Sequence, residues 1–393
     1  MKTLQNILIT TVLLAFIACK GATMEKPVND SMTEVALLER KPSQPIQPAT
    51  IQIALLLDTS GSMNGLIDQA KTQLWNLVNK MTYAQCNEVQ VNIEIALYEY
   101  GNTTIPQQED FLRQIVPFST DLDLISKELF ALDTNGGDEY CGAVINHATK
   151  NLEWRNGTQD LKMLFIAGNE SFLQGNTSIN DAMKDASQKD ITINTIFCGD
   201  AQTGISLKWK NAAFLGKGEY MVIDHNQQTH YVKTPYDDKI LQLNSQLNST
   251  YISYGSQGQS RIAQQNYIDN QTAGVSVTAN VNRSVVKSKS VYNNAGWDLI
   301  DAAEDEEMLE DLITANKKTL DANLKDKSVE EIKAITLAKK KERVSVQKRI
   351  LDLSKKREQF IQSQNSRDNG LESAMINAVR KKAALKNYTW EID

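Results

Sequence analysis

Histidine is scarce in this chain, and the scarcity limits its chemistry. Only three of 393 residues are histidines, and no pattern sets one beside a candidate nucleophilic serine, so a serine-hydrolase triad lacks its base. No glycine-rich loop bearing Lys-Ser or Lys-Thr follows a strand-like run, which removes the phosphate cradle of a nucleotide site. Basic excess is missing as well. Against 48 Asp+Glu stand 42 Lys+Arg, a net charge of −6, so nothing drives the whole chain toward nucleic acid or an anionic membrane. The apolar stretch from Ile7 to Ala18 is too short for a permanent membrane span. Proline numbers seven, with none from Trp297 onward.

What is present begins with Lys2, the apolar Ile7–Ala18 stretch and a small residue directly before Cys19, the pattern of a signal peptide. The end "FIAC" resembles a bacterial lipoprotein lipobox, with Phe16 where that family usually has Leu. The resemblance implies acylation of Cys19 and a membrane-anchored lipoprotein of the cell envelope, periplasmic or surface-facing. Residues 20–49 hold Pro27, Pro42, Pro45 and Pro48 among Ser, Gln, Glu and Lys, a composition that reads as a tether. With Cys19 lipidated, Cys86, Cys141 and Cys198 remain, and one pair plus one free thiol is the simplest count in an oxidising compartment.

From residue 50 to about 250, strand-like and helix-like segments alternate. Ile51 to Leu57 reads as a buried strand and Gly65 to Met81 as an amphipathic helix. Val89 to Tyr100 pairs with Leu112 to Phe118 across a hairpin, and helices follow near 121–132 and 142–152. Strands at 161–167, 191–197 and 219–223 alternate with helices near 178–188, 205–215 and 237–247. This order predicts an α/β fold with a doubly wound, mostly parallel sheet. Residues 251–294 read as a polar linker and 295–393 as a charged, mainly helical region. There Ser328 and Glu331 form a capping-box pattern opening a helix to about Gln362. Its stripe of Ile332, Ile335, Val346, Ile350, Leu353 and Phe360 approximates coiled-coil spacing, interrupted by Lys339, Glu342 and Arg357; a packed helical hairpin fits better. The acidic 304–311 and basic 339–349 runs read as solvated or mutually paired helix faces.

The chemistry concentrates in "ALLLDTSGSM", residues 54–63, where an apolar strand ends in Asp58, Ser60 and Ser62. One carboxylate and two hydroxyls in a tight turn suit a hard divalent cation, Mg²⁺ or Mn²⁺; the same turn could also simply cap the next helix. In its strand–loop–helix context the region resembles a von Willebrand factor type A (VWA) domain, whose metal-ion-dependent adhesion site opens with this pattern. With the lipobox, tether, "GGDEYCGA", "FIAGNES" and "TIFCGD", the chain is similar to VWA-domain lipoproteins of Gram-negative bacteria.

The resemblance implies that Asp58, Ser60 and Ser62 are metal-site residues. Two further elements depart from the pattern. After Gly136-Gly137 stands Asp138 in place of a threonine, and after the strand ending at Ala167 come Gly168, Asn169 and Glu170 in place of an aspartate and glycine. Asp138 is expected to join the ion directly, with Glu170 as an outer member acting through water. In a VWA-like fold Cys141 and Cys198 belong on one rim and are expected to pair, leaving Cys86. The implied function is non-catalytic binding of another, unidentified envelope protein. The alternatives are a scaffold acting through the C-terminal helices and, from another class, a Mg²⁺-dependent phosphotransfer enzyme with Asp58 as nucleophile. Asp224-His225 and His230 read as a solvated turn, and His147 as a helix residue near the core.

Overall fold

The computed structural model describes residues 48–223, 232–275, 277–364 and 371–390, all within one compact unit from Gln47 to Asp393. The expectations for Cys19, the tether up to residue 47 and the loop at 224–231 lie outside these residues. Strand β1 (Thr50–Asp58) is buried along its whole length, as expected of a parallel strand covered on both faces. It is followed by α1 (Ile67–Met81), β2 (Ala84–Cys86), β3 (Val89–Gln90), β4 (Asn92–Tyr100), β5 (Leu112–Ser119), α2 (Leu122–Ala131) and α3 (Cys141–Asn151). Then come β6 (Leu161–Gly168), α4 (Ile179–Gln188), β7 (Ile191–Cys198), α5 (Ala201–Ser206), α6 (Trp209–Leu215) and β8 (Lys217–Ile223). The helix expected near 205–215 is two helices because Lys208 takes a left-handed φ of 75° between them.

The main sheet runs β5-β4-β1-β6-β7-β8. Only β5 is antiparallel, pairing with β4; β1 lies parallel between β4 and β6. The strand order reverses at β1, so the carboxyl ends of β1 and β6 border the crevice where such sheets collect ligands. Alternate residues of β1 feed two cores. Ile51, Ile53, Leu55 and Leu57 face one layer, and Ala54 and Leu56 face the other, which α3, α4 and α6 cover.

The remaining elements are α7 (Asp237–Asn248), α8 (Gly258–Val275), α9 (Val277–Lys287), α10 (Leu299–Ala302), α11 (Glu306–Asn316), α12 (Val329–Gln364), α13 (Leu371–Ala383) and β9 (Tyr388–Trp390). They correct two expectations. Residues 251–294 are not a polar linker, since α8 and α9 fill most of the span. Their polar side chains are buried because they are paired: Arg283 bonds Asp123 at 2.7 Å and Asp269 at 2.5 Å, and Lys287 reaches Asp269 at 2.8 Å. Nor is residue 250 a boundary between cores. Val346, Ile350, Met375 and Val379 of the C-terminal helices share the layer that covers β1, each adding roughly 1.5–3 kcal/mol of transfer free energy.

The capping box forms as expected: Ser328 N–H donates to Glu331 Oε2 at 2.8 Å and Glu331 N–H to Ser328 Oγ at 3.2 Å. Helix α12 packs on α7, α9, α10 and α11 and not in a coiled-coil pair. Arg357, an interruption of the stripe, is an internal anchor that donates to Asp237 at 2.9 Å. About four turns earlier in the same helix, Arg343 bonds Asp298 at 2.6 Å and Asp301 at 2.7 Å. Strand β9 returns to pair with β2.

Asp298 has no exposed surface, so removing its cation leaves a buried charge unmatched. Arg343→Ala should therefore cost about 3–5 kcal/mol of unfolding free energy, read from urea denaturation followed by circular dichroism. A loss under about 1 kcal/mol would show that the pair does not hold α12 in place.

Candidate metal centre

Asp58 is the last residue of β1 and is fully buried. Ser60 N–H donates to its Oδ1 at 2.7 Å, a local turn in which the short acidic side chain substitutes for backbone. That turn carries Ser60 and Ser62 over the end of the sheet, with their hydroxyl oxygens 2.7 Å apart. Both also reach Glu139 Oε1, at 2.8 and 3.1 Å, and Ser62 Oγ lies 2.8 Å from Asn169 Oδ1. The Asn169 orientation is set by its Nδ2, which donates to the Ser62 carbonyl at 3.0 Å.

Four short oxygen–oxygen contacts thus share the hydrogens of two hydroxyls, and Asp58 Oδ2, buried, has no hydrogen-bond partner. An excess of lone pairs over hydrogens is what a hard cation relieves, and the donor set is all oxygen. Among the described residues no group of three or more His, Cys, Asp or Glu side chains is arranged to hold a metal ion. The fit therefore rests on hydroxyls together with two carboxylates.

The second carboxylate is not the expected one. Asp138 is exposed and accepts from Tyr140 Oη at 3.2 Å, whereas its neighbour Glu139 is 1% exposed and bonds both serines. The glycine pair decides this. A Cβ on Gly137 would lie 2.3 Å from the Gly101 carbonyl oxygen, so the chain runs directly against the loop after β4. From this contact the Asp138 side chain runs out to solvent and that of Glu139 in to the serines.

The expectation for Glu170 also needs correction: it contributes its main chain, with its N–H 3.3 Å from Glu139 Oε2. Its exposed carboxylate instead accepts from Gln174 at 2.5 Å, and Gln174 Oε1 in turn accepts from Glu139 N–H at 2.9 Å. Glu139 and Asn169 were both missed as site residues. For Asn169 a signal existed, since it follows Gly168 where the strand meets the crevice; for Glu139 against Asp138 no local signal chooses.

Burial, and then the charge of Glu139, hold the Asp58 carboxyl well above its ordinary range; burial raises Glu139 as well. Two negative charges this close in a dry place resist simultaneous ionisation.

The expected Cys141–Cys198 disulfide is absent, and Cys86, Cys141 and Cys198 are all free buried thiols. Cys141 belongs to the core layer on one face of the sheet and Cys198 to the layer on the other, so the sheet stands between them. Cys141 Sγ points to Tyr100 Oη at 3.8 Å. His147 lies in α3, half-buried, with Nδ1 3.2 Å from Tyr98 Oη, away from the oxygen cluster.

Residues 52–208 match the family model of the von Willebrand factor type A domain. The chain therefore carries a VWA domain, extended by the C-terminal helices. Among solved structures it is similar to the conserved hypothetical protein BatB from Bacteroides thetaiotaomicron, at 16% identity over 44% of this chain and 90% of that one, with a TM-score of 0.34. An aerotolerance-related membrane protein from Bacteroides fragilis matches at 16% identity over 44% and 92%, TM-score 0.30. Proximal thread matrix protein 1 from the mussel byssus, with a zinc-occupied MIDAS motif, matches at 13% identity over 46% and 43%, TM-score 0.34. A search of the curated proteins finds no match.

The loops carrying the site meet at glycines with unequal room. A Cβ on Gly101, at φ 79°, would lie 2.8 Å from Asp58 Oδ1 and 3.1 Å from Glu139 Cγ, whereas one on Gly136 would meet nothing within 4 Å. Gly101→Ala should destabilise the protein by about 1–3 kcal/mol, and Gly136→Ala by less than about 0.5 kcal/mol. Thermal unfolding of the two variants checks the contrast; equal melting temperatures would refute it.

Proposed function

We propose that this chain is a non-catalytic binding protein that presents a divalent cation, Mg²⁺ or Mn²⁺, to another protein of the cell envelope. Members of the VWA family often bind proteins through such a site. The observation that carries the reading is the convergence of Ser60, Ser62, Glu139 and the unpartnered oxygen of Asp58 on the rim where β1 and β6 end. Ser60, Ser62 and Glu139 would hold the ion, with Asp58 behind them, and the ion would offset the charge of the two carboxylates. Small hard cations suit hydroxyl and carboxylate ligands better than soft ones do.

The proposed membrane attachment is an acylated Cys19; among the described residues no helix is long and apolar enough to cross a membrane. The scaffold alternative draws less support, because Arg343 and Arg357 of α12 are spent on internal pairs. The phosphotransfer alternative wants an acid two residues after Asp58, where Ser60 stands.

Calorimetric titration with Mn²⁺ should give saturable binding to the wild type and none to Ser60→Ala/Ser62→Ala, with both proteins retaining the same circular dichroism. Identical heats from the two would refute the cation site. Separately, Cys19→Ser should move the protein from the membrane to the soluble fraction, since stable anchoring needs more than one acyl chain; unchanged partition would refute the anchor.

A further inference from the structure

Resting on the metal-binding reading above, we propose that Glu139 is a built-in acidic ligand that closes this site, so that an acidic group from a partner reaches the ion only by displacing it. The Glu139 carboxylate lies against both serine hydroxyls, at 2.8 and 3.1 Å, beside the exposed Ser62. It is buried, while its neighbours Glu170 and Asp138 are exposed. With Asp58 it brings two negative charges to a dication, so the filled site has no net charge left to draw an acid.

Glu139 is also carried differently from Asp58. It sits between α2 and α3 in a stretch, 132–140, without regular secondary structure. A Cβ on Gly136 would meet nothing within 4 Å, while Thr103 N–H holds the Gly136 carbonyl at 2.7 Å. What holds Glu139 from outside is a polar clasp: Glu170 N–H on Oε2, Gln174 on the Glu139 N–H, and Gln174 on the Glu170 carboxylate. Asp58, by contrast, is fixed at the end of the central strand and has Gly101 and Gly168 packed against it, where added Cβ atoms would fall 2.8 Å from its Oδ1 and 3.1 Å from its Cβ. The two carboxylates thus divide the work: Asp58 retains the ion and Glu139 is exchangeable. A site that is open a tenth of the time binds its ligand roughly tenfold more weakly, so the internal acid sets a threshold for partner capture.

Water-proton relaxivity of bound Mn²⁺ tests this in the full chain, because it reports how many waters the ion keeps. The Mn²⁺ complexes of Glu139→Thr and Glu139→Gln should show higher relaxivity than that of the wild type. Acetate, used as the acidic probe, should lower the relaxivity of Glu139→Thr at concentrations about tenfold below those needed for wild type. Equal relaxivity and equal acetate response in wild type and variants would overturn the proposal while leaving the metal site standing. Complete loss of Mn²⁺ from both folded variants would also overturn it, by making Glu139 an indispensable ligand. A wild type that binds no Mn²⁺ would remove the metal reading itself, and this proposal with it.

Discussion

An aspartate without exposed surface ends the central strand, and the cost of keeping its carboxylate dry organises the rim. Asp58 has one oxygen satisfied by the Ser60 amide and one with no hydrogen-bond partner. An ionised carboxylate in such a place is expensive unless it is matched. The chain does not match it with an arginine or lysine. It sets a second buried acid beside it and two hydroxyls above it, which worsens the repulsion unless a cation enters. The surrounding loops conform to this cluster. Gly101 and Gly168 let backbone come against Asp58, Asn102 Nδ2 ties the Thr59 carbonyl to that of Asp133, and Thr103 N–H reaches the Gly136 carbonyl at 2.7 Å.

Elsewhere the molecule treats buried charge in the opposite way. Each acid drawn under the helical layer meets a cation: Asp123 and Asp269 meet Arg283, Asp298 and Asp301 meet Arg343, and Asp237 meets Arg357. These pairs are weak sources of net stability, but breaking one is costly, so they specify where α9 and α12 lie. Matched acids under the helices thus stand in contrast to unmatched acids at the rim. The C-terminal helices are structural members of the VWA domain's core, with Val346 and Ile350 packed in the same layer as Leu55 and Leu57.

The fold was legible because it depends on patterns that survive in one dimension. Fully apolar runs such as Ile51–Leu57 mark strands covered on both faces, and their alternation with amphipathic helices allows little besides a doubly wound sheet. That Asp58, Ser60 and Ser62 lie together at the end of β1 was legible for the same reason, since one local turn governs them. Tertiary structure alone decided the rest. Whether Asp138 or Glu139 turns inward depends on how Gly137 packs on Gly101, residues 36 positions apart in the chain. Whether Cys141 can meet Cys198 depends on which face of the sheet each occupies. Residues 258–287 looked like solvent-exposed chain because the partner of Arg283, Asp123, lies 160 residues away. Local sequence reports burial through hydrophobicity, and it is blind to polar groups made buriable by a partner that only folding brings near.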